Sequence, residues 1–349
     1  MPPVTESNPP PSRMSAVARP GARILGVGHY VPERVLTNAD LEKMVETTDA
    51  WITERTGIRE RHVAAPGEVT SDMAAEAARR AMAKAGITAA DVDMIIVGTI
   101  SGDSPMPACA AHVQQKIGAK HCPAFDLSAA CAGFLYGLSI ADRFVRTGGA
   151  KYVVVVGVEL LSRILDWTDR TTCVLFGDGA GAVVVGPTTE EEAEAGRGIL
   201  STHLFTDGSL ANALLIPGGG SKEPFSAKVL EDRRHLVHMT GQDVFKAAVR
   251  YLAASARTAL EANHLTPGEL DWVVAHQANM RILSALSQRV EIPMERFFIN
   301  IHKYGNTSSA SIPIALDEAL TEERIKPGQT VLMCALGAGI SWGSALIRW

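Results

Sequence analysis

No C-x-x-C pair occurs in these 349 residues, and the five cysteines (Cys109, Cys122, Cys131, Cys173 and Cys334) make an odd count that fits no closed disulfide framework. A secretory signal is also missing, so a reducing cytoplasm is the expected compartment. Long apolar runs are absent. The longest, YVVVVGVELL at 152–161, is too short to span a membrane and reads as a buried strand. There is no excess of positive charge either: 33 Lys and Arg stand against 38 Asp and Glu, a formal −5, which leaves no footprint for nucleic acid. PGGGSK at 217–222 lacks the spacing of a phosphate-binding G-x-x-x-x-G-K-[ST] loop. HLVH at 235–238 has no further ligands near it in sequence, so no metal site is expected.

What remains is an ordinary globular composition, 46% apolar and long enough for two core-bearing halves. Residues 1–20, rich in Pro, Ser and Ala, read as a disordered tail. From Ala22 onward strand-like and helix-like runs alternate. ARILGVGHYVP (22–32) is a strand running into a loop, and SDMAAEAARRAMAKAGI (71–87) is a helix with a Ser/Asp cap and a stop at Gly86. MIIVGTI (94–100), YVVVVGV (152–158) and GAVVVG (181–186) are continuous apolar strands of a sheet interior. That alternation predicts an α/β fold with helices packed on sheets.

The pattern then repeats. TAADVDMIIVGT (88–99) matches TPGELDWVVAHQ (266–277), and KYVVVVG (151–157) matches TVLMCALG (330–337). Asp93 and Asp271, and Val153 and Val331, are each 178 residues apart, and two stretches at one offset argue for an internal duplication. The expected halves are 21–190 and 191–349. The counterpart of the Cys131 region is INIHKYGNTSSASIPIAL (299–316), so Cys131, Asn306 and His276 are expected to converge where the halves meet.

Cys131 lies in FDLSAACAGFLYGL (125–138) with Ala and Gly on both sides. A helix starting near Ala132 would put its thiol at the positive end of the dipole, which lowers a thiol pKa, and small neighbours leave room for a substrate. The same residue also fits the small buried hydrophobe that a free Cys usually is. His276 follows an apolar strand, a common functional position in α/β sheets and an equally common structural one. Asn306 suits a turn or cap as well as a site. The glycine-rich LGAGISWGS (336–344) can turn backbone N–H groups toward an oxyanion, or be a plain turn.

Taken together, TTDAWITERTGIRER (47–61), DLSAACAGF (126–134), FGDGAGAVVV (176–185), AHQANMRI (275–282), YGNTSSASIPIAL (304–316) and GAGISWGSALIRW (337–349) resemble the β-ketoacyl-acyl-carrier-protein synthase III family of condensing enzymes. The resemblance covers nearly everything from Ala22 to Trp349. It implies a thiolase-like fold, two duplicated five-stranded halves in an α-β-α-β-α stack. It implies that Cys131 takes the acyl group of an acyl-CoA as a thioester, and that His276 and Asn306 stabilise the enolate formed when a malonyl thioester on acyl-carrier protein loses CO₂. The N–H groups of Cys131 and Ala338 would form the oxyanion hole. Trp51 and Arg170 would sandwich the adenine of CoA, Arg55 would reach its phosphates, and Lys246 and Arg281 would meet the acidic carrier protein, whose docking needs a local basic patch on a chain of net negative charge.

Two departures bear on the acyl pocket. Leu336-Gly337-Ala338-Gly339 stands where many members have Phe-Gly-Gly-Gly, and Met106 stands where a partner subunit's Phe commonly enters the pocket, so the primer is left open between acetyl, branched and longer chains. The resemblance also implies a homodimer, no cofactor beyond the substrates, and a cytoplasmic role in starting fatty acid synthesis. A related acyltransferase or condensing enzyme of a secondary pathway would keep the same three residues. A non-catalytic partner subunit or an acyl-CoA-binding module would need no such set.

Overall fold

The computed structural model of the chain describes residues 21–349, so the tail expected at 1–20 lies outside the described residues. The first half contains β1 (Ala22–Tyr30), α1 (Asp49–Thr56), α2 (Thr70–Ala85), β2 (Met94–Gly98), α3 (Cys109–Ile117), β3 (Ala124–Leu127), α4 (Gly133–Thr147), β4 (Val153–Glu159) and β5 (Gly179–Pro187). Its sheet runs β1-β5-β4-β2-β3, with β2 parallel to both β3 and β4 and with β5 antiparallel to its neighbours. The second half contains β6 (Gly198–Thr206), α5 (Gly241–Ala262), β7 (Trp272–Ala275), α6 (Met280–Val290), α7 (Ser311–Thr321), β8 (Thr330–Gly337) and β9 (Ser341–Arg348), in a sheet of order β6-β9-β8-β7.

The repeat seen in sequence reappears in register. Met94 pairs with Val153 and Trp272 with Val331, each residue 178 positions from its counterpart. The repeated aspartates explain themselves: Asp93 accepts the N–H groups of Lys151 and Tyr152 at 2.8 and 2.9 Å, and Asp271 accepts that of Thr330 at 2.8 Å. Each carboxylate therefore pins the start of one strand to the next. The halves differ at one edge. Where the first sheet has β3, the second has a single parallel bridge from Phe297 to Val273, so the expected fifth strand shrinks to one residue. Pro293 and the 3-10 turn Met294–Arg296 occupy the segment before it and leave no extended run to pair.

Five layers follow from where the apolar faces point. Helices α4 and α7 lie between the two sheets, where Phe134, Leu138, Ile312 and Leu316 meet Ile96, Val155, Met333 and Ala345. Each large side chain so buried contributes roughly 1.5–3 kcal/mol. Helices α2 and α3 cover the outer face of the first sheet, and α5 and α6 that of the second. Helix α2 opens one residue earlier than expected. Asp72 accepts the Val69 N–H at 3.0 Å to close the first turn, while Ser71 is drawn away to bond Asp103. Among the described residues no helix is long and apolar enough to cross a membrane.

The halves touch through backbone. A Cβ built on Gly157, near the end of β4, would lie 2.2 Å from the Ser309 carbonyl oxygen ahead of α7. Gly157→Ala is therefore expected to push the halves apart and destabilise the protein by about 3 kcal/mol, visible as a lowered midpoint in urea unfolding. An unchanged midpoint would contradict that packing.

Candidate active site

Cys131 sits in a one-turn 3-10 segment, Ala130–Ala132, that feeds straight into α4. Ala130 holds φ at +45°, a strained left-handed conformation for a residue with a Cβ. Its counterpart 178 residues on, Ser308, holds φ at +51° ahead of α7. Each copy thus bends its chain sharply into the central helix, and the two bends face each other.

The acidity expected from the helix dipole is reversed. Burial pushes the Cys131 thiol up to about 12, the Ser308 hydroxyl 3.3 Å from its sulfur draws it back, and the nearby Glu159 charge raises it further. Desolvation is the largest influence on it, so the resting residue is a thiol. Cys334 is raised to about 12 by burial alone. Position distinguishes Cys131: of the five cysteines, it alone lines the two cavities described here.

The first cavity, about 280 Å³, brings Cys131, His276 and Asn306 together. His276 comes directly after β7, is 3% exposed, and donates its backbone N–H to the Cys334 carbonyl at 2.8 Å. Its Nδ1 lies 2.6 Å from Ser311 Oγ, which also accepts the Gln277 N–H at 3.3 Å. With the Ser311 hydroxyl donating to Nδ1, the ring's own proton lies on Nε2. Burial pushes the imidazole down to about 4, so it is neutral at pH 7. Asn306 is held from both ends. Its Oδ1 accepts the Ser308 N–H at 2.9 Å, and its backbone bridges Phe176 of the first half through Leu175 and Gly177 at 2.8 and 3.1 Å. With the oxygen engaged, the amide NH₂ is the end available to a ligand.

The mouth of this cavity is lined by Trp51, Arg55, Arg170 and Arg281. The guanidinium groups of Arg55 and Arg170 lie 4.7 and 5.1 Å from the Trp51 ring, and Arg170 also donates to the Glu46 carbonyl at 2.9 Å. A purine between Trp51 and Arg170 needs about 7 Å, two contacts of roughly 3.5 Å each, so the pair must part to sandwich it. Arg281 opens α6 with its guanidinium 5.8 Å from the Phe245 ring. Lys246 is exposed on the neighbouring α5 and lies outside the cavity lining.

A second cavity, about 230 Å³ and almost wholly apolar, meets the first at Cys131. Ile100, Leu161, Leu214, Ile216 and Val237 form its wall, and Ala338 and Ser308 its inner end. Leu336 lines the first cavity instead. Met106 lines neither: it is 84% exposed, and nothing within one chain brings it to Cys131. Gly337 lies against the Cys131 turn, where a Cβ would come within 2.5 Å of the Cys131 nitrogen. Ala338, the next residue, lines the second cavity together with Cys131.

Sequence reasoning missed the apolar wall, Ser311, and the pair Ser308 and Glu159. Glu159 carried a signal, since an acid ends the otherwise apolar run VVVVGVE. Ser308 lay inside a quoted motif without a role of its own.

Comparison with known proteins places the chain in a family. The family described as 3-oxoacyl-[acyl-carrier-protein] synthase III matches residues 125–208, and its C-terminal part matches residues 260–349. A β-ketoacyl-[acyl-carrier-protein] synthase III of Thioalkalivibrio sulfidiphilus is 52% identical over 94% of this chain and 99% of its own length. The chain belongs to the β-ketoacyl-[acyl-carrier-protein] synthase III family. As a synthase III it is an acyltransferase, a condensing enzyme of the step that initiates fatty acid biosynthesis. The crystal structure of 3-oxoacyl-[acyl-carrier-protein] synthase III from Aquifex aeolicus is 45% identical with a TM-score of 0.87, covering 94% of this chain and 100% of that one. The priming β-ketosynthase of the R1128 polyketide pathway is 36% identical with a TM-score of 0.87, covering 96% and 98%. The thiolase-like fold expected of a synthase III is the fold observed.

The neutral imidazole has a consequence for stability. His276 stays unprotonated in the fold down to about pH 4, whereas in the unfolded chain it gains a proton near 6.5. Lowering the pH through that window therefore favours unfolding. Between pH 7 and 4 the wild type is expected to lose about 3 kcal/mol more than His276→Asn in paired urea titrations. Parallel losses would place a charged imidazolium in the fold.

Proposed function

We propose that this synthase III joins an acyl-CoA primer to malonyl-acyl-carrier protein, with Cys131, His276 and Asn306 as its catalytic residues. Cys131 attacks the thioester carbonyl of the primer, the N–H groups of Cys131 and Ala338 hold the oxyanion, CoA leaves, and the acyl chain enters the apolar cavity. The malonyl thioester then comes to the same face. As CO₂ departs, negative charge grows on its carbonyl oxygen, and the Nε2–H of His276 and the amide of Asn306 receive it. The carbanion attacks the Cys131 thioester and releases the 3-oxoacyl product on the carrier.

The observation that carries this reading is the chemistry of the two donors. An enolate is stabilised by a hydrogen bond but destroyed by a proton. A neutral imidazole and an amide supply the first and withhold the second. The arginines at the mouth support the rest: Arg55 suits the phosphates of CoA, Arg170 opposite Trp51 suits its adenine, and Arg281 with Lys246 suits an acidic carrier. The apolar cavity, about 230 Å³ against roughly 30 Å³ for a water molecule, leaves room for a primer of several carbons. On this reading the reaction needs no cofactor, and the enzyme works in the cytoplasm as a homodimer. The half-buried edge strand β3 and the exposed Met106 support the dimer.

Intact-protein mass spectrometry with a panel of acyl-CoAs tests the proposal. Wild type is expected to gain one acyl mass, heaviest for a primer longer than acetyl, and Cys131→Ala none. Asn306→Ala should still acylate but condense about 10²–10³-fold more slowly. If folded wild type takes no acyl group from any CoA thioester, the donor is something else.

A further inference from the structure

One buried acid has no place in the scheme above. Glu159 ends β4 with no exposure to solvent, beneath the nucleophile. Neutral groups hold it: its Oε2 accepts from Thr99 Oγ1 at 3.2 Å, from the Ile100 N–H at 3.1 Å and from Ser101 Oγ at 2.5 Å. Its Oε1 lies 3.3 Å from Ser308 Oγ, and the same hydroxyl lies 3.3 Å from Cys131 Sγ. A single hydroxyl thus spans thiol and carboxylate, between two groups 28 residues apart in sequence and one from the other half of the molecule.

We propose that Glu159 is the proton acceptor for the nucleophile, taking the Cys131 thiol proton through the Ser308 hydroxyl on acylation and returning it when the thiolate is expelled in condensation. Glu159 touches no substrate and acts only through Ser308. In the forward step the S–H proton passes to Ser308 Oγ as the Ser308 proton passes to Glu159 Oε1. The result is a thiolate, an intact serine and a neutral carboxylic acid. Sulfur attacks the acyl carbon, the bond to CoA sulfur breaks, and the CoA thiolate takes its proton from solvent. In the second step the carbanion displaces Cys131, and the proton on Glu159 goes back to sulfur by the same path. One proton is consumed overall, by CoA.

The arrangement solves the problem that burial creates. Thiol with carboxylate and thiolate with carboxylic acid hold the same number of protons, so exchanging them brings no new charge into the dry site. Removing the proton to solvent would leave two negative groups facing each other there. Burial pushes the Glu159 carboxyl up to about 7, which suits it to hold and release a proton at neutral pH. The groups facing it are Thr99, the Ile100 N–H and Ser101 from the segment after β2, Ser308 from the bend before α7, and the Cys131 thiol from the bend before α4.

This inference rests on Cys131 being the nucleophile, and alkylation by iodoacetamide tests it without any thioester. The rate of Cys131 modification is followed by peptide mass from about pH 5 to 10. Wild type is expected to show a rise through about pH 7 to a plateau. Glu159→Gln should lose that rise and react about 100-fold more slowly at neutral pH. Ser308→Gly, whose positive φ suits glycine, should lose it equally with Glu159 still present. A spectator charge predicts the opposite sign, because removing it would favour the thiolate and speed alkylation. Equal or faster alkylation in folded Glu159→Gln therefore overturns the proposal. If that variant does not fold, a wild-type profile in Ser308→Gly overturns it. Failure to acylate from CoA thioesters with this profile intact would count against the primer instead.

Discussion

The site depends on backbone of one half pressing against backbone of the other with only glycine between them. At Gly157 the contact is with the Ser309 carbonyl, and at Gly337 it is with the Cys131 nitrogen. No side chain could hold those segments so close, because every Cβ added there collides with main chain. Both contacts bear on the two sharp bends, at Ala130 and Ser308, that lead into the central helices. Strain at those bends is thus confined by rigid neighbours on all sides, which is the condition under which strained backbone persists. The reacting groups inherit their positions from this packing and not from flexible side-chain contacts.

Burial then decides the chemistry. Removing water from Cys131, His276 and Glu159 disfavours the charged form of each, so the resting site holds a thiol, a neutral imidazole and a carboxyl group close to half-titration at pH 7. Neutral hydrogen-bond donors around the thiol are well matched to reactions whose charge develops only in passing, on a thioester oxygen. Fixed positive charge is kept at the mouth, with Arg55, Arg170 and Arg281.

The sheets were legible in the sequence because a buried strand needs little more than an unbroken apolar run. MIIVG and VVVVGVE became β2 and β4, and the 178-residue offset returned as strand register. Cys131, His276 and Asn306 were legible through their motifs and do share a cavity. Three features were not. The missing fifth strand hinges on what one proline and a 3-10 turn do to an edge, which apolar patterning does not record. The thiol's acidity was misjudged because a helix start can be read locally, whereas desolvation arises from segments far away. The Ser308 bridge joins residues 177 and 149 positions apart, and no local pattern signals such a contact. Met106 belongs with these, since one chain alone gives it no pocket.

The closed stack of Arg170 on Trp51 means that this part of the cavity mouth is already occupied by the protein itself. A flat ring arriving there competes with an internal tenant, and it must also release Arg170 from the Glu46 carbonyl. Net affinity is then smaller than the contacts formed in the complex, by the worth of the exposed cation–π pair, about 0.5–1 kcal/mol, and of the hydrogen bond. When the ring leaves, the guanidinium closes over the indole again and hastens its departure.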